Sequence, residues 1–594
     1  MAPDWLKMNR DKSGGWRNHL YQGPVDPKLL RDKKRLQAMV QALVASHLAD
    51  KSHLFSDLEQ AYSLLHRIRL FLHLYLALTD NLKEELEDKS LTILNELNTE
   101  RVQLQALSIW SVSNATDAPQ LWKAAQRRRG VSVMPWRAAV SFAEQAHFAS
   151  DHHWICQYRY DKALHEMALR HGGLSQMGAG LRDTDAQVRE NASRQMNAWL
   201  KDMGVEGEEL FRLQAKLARK KRFNFAGIDA SEKTLEIARR VALERGPRLS
   251  KAYYEFKCRT QKVKGEKPVW HDRYVEDENT PHQNMAWRDV KERVLSCISA
   301  LHNDVGKAAN RLISSNNLIQ PQGRGGGFTT PVFYNHKRRI EAGPFIYAPF
   351  DGSGDSARTL AHELGHGVHA YLSAQLGPMQ CDGGWAVAET IALTFEHLCL
   401  ADDREALADQ DFAMLVHQPA IAMFERELGV VDNDIPVDAI WISALRGHYG
   451  ADVSLQGYEP FWRRHSSTLS MPGYPMAYLL GWALAGYVGQ RIEGYEERMK
   501  QPLLDVLKAG GNLGFDEAAS ILGVRDMGEL IHGAFDRAHA RLEAPTSMQS
   551  MQIEPMVKEI KATLPQEDGN EEVRNLSDVR ETRTPKRVRR SKIR

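Results

Sequence analysis

Cysteine is scarce in this sequence, and its spacing excludes a disulfide framework. Only 5 cysteines are spread over 594 residues, with an odd total and no C-x-x-C pair. Such usage is typical of proteins that work in a reducing compartment. Two of them, Cys381 and Cys399, flank the amphipathic stretch that contains Glu389. We interpret both as buried, unreactive thiols, and a metal-binding thiolate is the alternative.

Long hydrophobic runs and a dominant charge are also missing. The most apolar run, residues 68–78, has 11 residues and includes Arg69 and His73, whereas a transmembrane helix needs about 20 apolar residues. The opening segment, MAPDWLKMNRDKSGGW, contains no apolar core of the kind that signal peptides have. The formal net charge is only +2, which gives no electrostatic reason to bind nucleic acid. We therefore expect a soluble, cytoplasmic protein that binds neither membranes nor nucleic acids.

The sequence does contain a motif with a defined chemistry, in the stretch TLAHELGHGVHAYL. His362, Glu363 and His366 follow the order H-E-x-x-H. Two histidines four residues apart lie on one face of a helix and can bind one zinc ion. Glu363 beside them can act as the general base of a metal-assisted hydrolysis. The metzincin pattern would require glycine at 369 and histidine at 372, where the sequence has His369 and Leu372, so that subclass is excluded.

A zinc site also needs a third protein ligand, and the following amphipathic stretch provides a candidate. Glu389 follows His366 by 23 residues, and Glu396 lies seven residues further along the same helical face. A carboxylate on an otherwise apolar face costs free energy unless it is paired or bound to a metal. We therefore predict Glu389 as the third ligand. Glu396 is a candidate for orienting a histidine ligand, and His369 for a position beside the ligands or the substrate.

These motifs resemble those of the oligoendopeptidase F and thimet oligopeptidase family of zinc metallopeptidases, which are gluzincins. The block TLAHELGHGVHAYLS is similar to the family signature, whose third histidine is here His369. The resemblance covers roughly residues 180–540 and extends to three further segments: KAYYEFKCRTQKVKGEKPVWHDRY at 251–274, RGGGFTTPVFYNHKRRIEAGPFIYAPFDG at 324–352 and GYPMAYLLGWALAGYV at 473–488. It implies a mainly α, two-lobed fold with a deep substrate channel, one Zn²⁺ per chain, and a small β-sheet next to the active-site helix.

The segment at 473–488 resembles the part of the family that closes over the substrate. Tyr474 and Tyr478 are four residues apart, and a phenolic hydroxyl on a shared helical face can donate to the oxyanion of the reaction. Core packing is the alternative interpretation. The family usually carries a histidine shortly before these tyrosines, where a gap-free match places Pro472. The nearest histidine is His465, which we retain as a candidate for the same role.

The pattern along the chain predicts three regions. Residues 1–195 are predicted as an N-terminal helical lobe, residues 196–548 as the catalytic domain, and residues 549–594 as a disordered, charged tail. Within the catalytic domain, residues 321–354 contain 7 glycines and 4 prolines interleaved with aromatic residues, which favours short strands. We expect residues 343–350 to form an exposed edge that pairs with the substrate backbone, with a buried hairpin as the alternative.

The predicted function is zinc-dependent hydrolysis of internal peptide bonds in oligopeptides. Two other interpretations stay open. One is a zinc hydrolase dedicated to a single partner or leader peptide, and the other is a non-catalytic peptide-binding protein on the same scaffold. The four residues His362, Glu363, His366 and Glu389 are all present, which argues against the second. The sequence indicates no oligomeric state and no side-chain specificity.

Overall fold

A computed structural model of the protein describes most of the chain between residues 20 and 543. The described residues are 20–46, 54–78, 83–113, 160, 162, 179–201, 208, 211, 212, 215, 228–260, 267–275, 285–299, 301–315, 317–323, 326–334, 339–377, 381, 383–399, 403–431, 434–493 and 497–543. The charged tail predicted at 549–594 lies outside them.

The first described elements are three helices with apolar faces. Buried residues such as Leu65, Leu72 and Leu94 recur at helical spacing and pack together in a hydrophobic cluster, called here the N-terminal cluster. Its helices are α1 (Pro27–Ser46), α2 (Leu54–Leu78) and α3 (Glu84–Ser113).

Further helices follow, and most of them contribute buried side chains to a second and larger hydrophobic cluster, called here the main cluster. They are α4 (Ala186–Lys201), α5 (Glu232–Thr260), α6 (Trp287–Ser299), α7 (Asn303–Ser314), α8 (Gly354–Ser373), α9 (Trp385–Cys399), α10 (Arg404–Phe412), α11 (Gln418–Leu428), α12 (Val437–Tyr449), α13 (Ser467–Ser470), α14 (Tyr474–Glu493), α15 (Lys500–Ala509), α16 (Phe515–Ile521) and α17 (Met527–Glu543). A π-helical turn, Ala413–His417, joins α10 to α11.

The strands lie between α7 and α8, as the aromatic and glycine pattern predicts. They are β1 (Leu318–Ile319), β2 (Phe328–Thr329), β3 (Phe333–Tyr334), β4 (Ile340–Ala342) and β5 (Ile346–Tyr347). β3 and β4 pair with each other, and the other three form a mixed sheet in the order β1-β5-β2. β5 is parallel to β1 and antiparallel to β2. The expectation that residues 343–350 form an exposed edge is therefore wrong, because β5 is the central strand.

β5 and the residue on either side of it contribute side chains to both hydrophobic clusters. Successive side chains of a strand point to opposite faces, and Ile346 and Ala348 belong to the main cluster while Phe345 and Tyr347 belong to the N-terminal cluster. The sheet thus lies between the two hydrophobic clusters and packs against one of them on each face.

Helix α9 is clamped between α8 and α14, with a glycine at each crossing. A Cβ atom on Gly365 of α8 would lie 2.7 Å from the Cα of Ala392, and one on Gly481 of α14 would lie 3.0 Å from the backbone of Glu389. Cβ atoms essentially never approach as closely as at Gly365 and rarely as closely as at Gly481, so the glycines permit the helix backbones to lie against each other. The position of Glu389 is fixed on both sides.

The predicted fold class is confirmed: the described chain is mainly α, with a small sheet beside the helix that carries the H-E-x-x-H motif. The predicted lobe boundary at residue 195 falls inside α4, whose buried residues Met196, Trp199 and Leu200 pack in the main cluster. The division into lobes stays a prediction. Among the described residues, none of the helices combines the length and apolar character that crossing a membrane requires.

Candidate metal centre

The two histidines of the motif and Glu389 converge at one point between α8 and α9. The Nε2 atom of His362 lies 3.5 Å from Oε2 of Glu389, and the Nε2 atom of His366 lies 3.5 Å from Oε1. Candidate ligand atoms of all three residues lie within 4.8 Å of one another. Tetrahedral zinc with bonds of about 2.0–2.1 Å would separate its ligand atoms by about 3.3 Å. The three side chains therefore fit a metal ion of this kind.

The surroundings of Glu389 support the same interpretation. Its side chain is 1% exposed, and its Oε2 atom has no hydrogen-bond partner among the described residues. A buried carboxylate oxygen without a partner is costly. A cation bound between His362 and His366 would satisfy this oxygen.

Local capping interactions set the two helices in place. Ser353 caps α8, because its hydroxyl accepts a hydrogen bond from the backbone N–H of Ser356 at 3.2 Å. α9 is capped by a residue distant in sequence. The carboxylate of Asp229 accepts hydrogen bonds from the N–H groups of Ala386 at 2.7 Å and Val387 at 3.3 Å. Burial raises the pKa of Asp229 to about 6.

Glu396 contacts the far side of the His362 ring. Its Oε2 atom lies 3.0 Å from Nδ1 of His362, and its Oε1 atom accepts from Arg358 at 3.3 Å. Burial lowers the pKa of His362, but the hydrogen bond to Glu396 and the charges of Glu389 and Glu363 outweigh burial and raise it to about 9. This contact leaves Nε2 of His362 directed at Glu389.

Glu363 lies on the same helix and faces strand β2. The hydroxyl of Thr329 lies 2.9 Å from the Glu363 carboxylate and 2.8 Å from its backbone carbonyl oxygen. Gly327 covers the side chain, since a Cβ atom there would lie 2.4 Å from Cγ of Glu363. Burial raises the pKa of Glu363 above its ordinary value. The carboxyl group is therefore held in a fixed place with a heightened affinity for a proton.

Both predicted tyrosines lie at this centre, in the first turns of α14. The Tyr474 hydroxyl donates to Oε1 of Glu389. The rings of Tyr474 and Tyr478 meet edge to face with centroids 5.1 Å apart. Burial is the main cause that raises the pKa of both hydroxyls well above the ordinary value, so they remain protonated donors.

A buried carboxylate, Glu425, sets the turn that precedes α14. Its two oxygens accept from the Gly473 N–H at 2.6 Å and the Thr468 hydroxyl at 2.9 Å. Gly473 has a φ of +86°, which side chains rarely adopt. The turn also contains Pro472, and it directs Tyr474 toward Glu389.

His465 lies elsewhere, against the rings of Trp441 and His417 at centroid distances of 5.1 and 5.7 Å. No described contact joins it to the three converging side chains. His369 is 4% exposed and packs under Gly383, outside the group of candidate ligands.

Cys381 and Cys399 are buried, and neither belongs to the candidate metal group found among the described residues.

Sequence reasoning missed Thr329, Gly327, Asp229 and Glu425. The first two lie in the glycine-rich stretch before α8. Glycines there could have indicated that the backbone of this stretch passes close to the helix. Asp229 and Glu425 act on segments far away in sequence, and nothing in their local pattern indicates this.

Comparison with solved structures shows a shared fold. An oligoendopeptidase F from Enterococcus faecium aligns with a TM-score of 0.57 at 16% identity, covering 90% of this chain and 98% of that one. PZ peptidase A, solved with an inhibitor, aligns with a TM-score of 0.67 at 14% identity, covering 86% of this chain and 97% of that one. No protein-family model and no curated protein matches the sequence. The resemblance stated above is thus confirmed at the level of the fold.

Proposed function

We propose that this protein is a zinc-dependent endopeptidase that hydrolyses internal peptide bonds of oligopeptides. The observation that carries the proposal is the convergence of His362, His366 and Glu389 beside the buried Glu363. The shared fold supports it, because the similar structures include an oligoendopeptidase F and PZ peptidase A.

His362, His366 and Glu389 would hold one Zn²⁺ per chain. When bound, zinc lowers the pKa of a water molecule to about 7 and polarises a carbonyl group. Glu396 fixes the His362 ring from behind, a support that metal sites commonly need.

Glu363 serves as the general base. It takes a proton from the attacking water and delivers it to the leaving nitrogen. Its raised pKa suits both steps, because the group has to accept the proton and then keep it until the peptide bond breaks. The Thr329 hydroxyl holds the carboxylate in place throughout.

Tyr478 is the better placed of the two tyrosines to stabilise the oxyanion. Both side chains keep part of their surface accessible, but the Tyr474 hydroxyl already donates to Glu389. A protonated hydroxyl can donate to the oxygen that gains charge during attack. We leave His465 out of this role because its described contacts are with other residues.

Strand β2 offers the surface for the substrate backbone. It is an edge of the three-stranded sheet in the described chain, and its residue Thr329 touches Glu363. Pairing at an edge strand uses main-chain hydrogen bonds that do not depend on side-chain identity. A peptide added at β2 would therefore lie beside the general base, and we expect broad sequence tolerance.

The experiment that tests the proposal is digestion of a mixed oligopeptide library, read by mass spectrometry. Zinc-loaded wild-type protein is compared with Glu363→Gln and with the surface control Glu244→Gln, whose residue is exposed on α5. We expect internal cleavage of many peptides by the wild type and the control, and none by Glu363→Gln. A folded, zinc-loaded protein that cleaves no library peptide would contradict the proposal. Cleavage of one peptide alone would favour the dedicated hydrolase.

A further inference from the structure

A second polar group lies away from the metal centre, around Arg273. We call Arg273, Tyr274, His417, Tyr449 and His465 the Arg273 cluster. They come from four separate segments: the turn Trp270–Tyr274, the π-helical turn Ala413–His417, the C-terminal end of α12, and the residue after the turn Glu459–Arg464. Long-range packing therefore assembles the cluster.

All the described hydrogen-bond partners of the Arg273 side chain are neutral groups. Its guanidinium donates to the Tyr449 hydroxyl at 2.9 Å and to the Tyr274 hydroxyl, and lies 3.3 Å from Nε2 of His417. Nδ1 of His417 lies 3.0 Å from the Tyr449 hydroxyl. These contacts are satisfied together if His417 is neutral, accepts from Arg273 at Nε2 and donates to Tyr449 at Nδ1.

The nearby carboxylates are already committed to other cations. Asp272 pairs with Arg189 at 2.8 Å, and Asp409 pairs with Lys257 at 3.2 Å. Among the residues that the structure describes, no carboxylate contacts Arg273. An enclosed charge without a counter-charge is costly, and burial normally requires one. Within the described part of the chain, Arg273 therefore has no anionic partner.

The Arg273 cluster is largely buried, but part of it is accessible to solvent. Arg273, Tyr274 and His465 each keep part of their surface accessible, whereas His417 and Tyr449 are buried. Burial raises the pKa of Tyr274, but Arg273 and Arg464 outweigh burial and leave that pKa below its ordinary value. Burial and the neighbouring Arg273 lower the pKa of His417. The positive charge of Arg273 contributes to both shifts, so the electrostatic potential at these side chains is positive.

We propose that Arg273 is the centre of a carboxylate-binding site that receives the C-terminal carboxylate of a peptide substrate. The planar guanidinium matches a carboxylate in shape and charge, and the hydroxyl of the partly accessible Tyr274 can rotate to donate to it. Every unblocked oligopeptide carries this group, whereas pairing at an edge strand alone recognises no chain end. This inference rests on the proposed function. An acidic side chain is the other source of the same chemistry.

The test compares one unblocked octapeptide with its C-terminal amide. In wild-type protein we expect kcat/KM for the acid to exceed that for the amide by about 10- to 100-fold, the usual range for a hydrogen-bonded charge. In Arg273→Gln we expect the ratio of kcat/KM for the acid to kcat/KM for the amide to fall to about one. Arg273→Lys keeps the positive charge but loses the planar guanidinium. Its ratio of kcat/KM for the acid and the amide should lie between those of the wild type and Arg273→Gln. Arg194→Gln, on an exposed residue of α4, is the matched control.

Three further outcomes are decisive. Equal turnover of the acid and the amide by the wild type overturns the proposal without reference to any variant. An amide with glutamate as its last residue that regains the full advantage assigns the site to acidic side chains and overturns the terminal assignment. Calorimetric binding of the acid and amide pair to Glu363→Gln reads the site without turnover. A difference in Kd there, with no cleavage by the wild type, would sink the proposed function and keep the carboxylate site.

Discussion

The Nδ1 atom of His362 lies 3.0 Å from a carboxylate oxygen of Glu396, and this glutamate is completely buried. Arg358 contacts the other oxygen at 3.3 Å. Arg358, Glu396 and the His362 ring thus form a chain of hydrogen-bonded groups that ends at the candidate metal position. The contact engages Nδ1 at the edge of the ring and leaves Nε2 available to bind a metal.

Replacing Glu396 should therefore weaken metal binding. We expect Glu396→Gln to lower zinc affinity by about 10- to 100-fold, because outer contacts of metal ligands contribute on this scale. Competition with a chelator of known affinity gives the measurement. Glu236→Gln serves as the control, since that side chain is 67% exposed. Equal affinity in both variants would show that Glu396 does not support the ligand.

Gly327 and Gly326 form a matched pair for testing the general base. A Cβ atom on Gly327 would lie 2.4 Å from Cγ of Glu363, while one on Gly326 would meet nothing within 4 Å. We expect Gly327→Ala to lower kcat by about 100-fold through displacement of Glu363, with bound zinc unchanged by elemental analysis. Gly326→Ala should retain activity. If both alanine variants turned over like the wild type, Glu363 would not depend on this cover.

We expect substitutions of Tyr474 and Tyr478 to affect different measured quantities, zinc affinity for the first and kcat for the second. Tyr474→Phe removes the hydroxyl that contacts Glu389, so we expect zinc affinity to fall by about 10-fold. Tyr478→Phe should lower kcat by about 100-fold or more with little change in zinc affinity. Steady-state kinetics at saturating zinc and metal titration together make the distinction. An unchanged kcat in Tyr478→Phe would return that residue to core packing.

Glu425 predicts a dependence of stability on pH. Burial raises its pKa from 4.5 to about 7 in the folded protein. Between these values the folded state binds a proton that the unfolded state lacks, so this residue lowers stability as pH rises from 4.5 through 7. The full effect is about 3 kcal/mol at most.

Glu425→Gln removes this titration while keeping an acceptor for the Gly473 N–H. We expect the Tm of the wild type to fall relative to that of the variant as the pH rises from 5 to 8. Thermal melts at a series of pH values provide the comparison. Parallel Tm curves would mean that Glu425 titrates in the folded protein as it does in the unfolded chain.

Local periodicity accounts for what the sequence predicted well. His362 and His366 share a helical face because they are four residues apart, and Glu389 and Glu396 share one because they are seven apart. The structure places these four side chains together, and metal binding itself stays a prediction. Aromatic residues between glycines correctly predicted strands in residues 321–354.

Pairing between distant segments accounts for the rest. β5 is central because β1 and β2 flank it, and strand order is not encoded in the composition of β5. Asp229 caps α9 from a position 157 residues earlier. His465 is the nearest histidine before the tyrosines along the chain, yet its neighbours in the fold are Trp441 and His417. Each of these relationships depends on tertiary packing and leaves no local pattern.

The packing of the small sheet between the two hydrophobic clusters has a consequence for synthesis of the chain. Helices α1–α3 bury their apolar faces partly against Phe345 and Tyr347, which follow Leu104 much later in the sequence. At about 5–20 residues per second, the ribosome needs roughly 12–50 s to add the intervening residues. Until then, the apolar side chains of α1–α3 cannot be buried against Phe345 and Tyr347, so the N-terminal cluster stays incomplete. For this part of the protein, the order of synthesis and the order of burial differ.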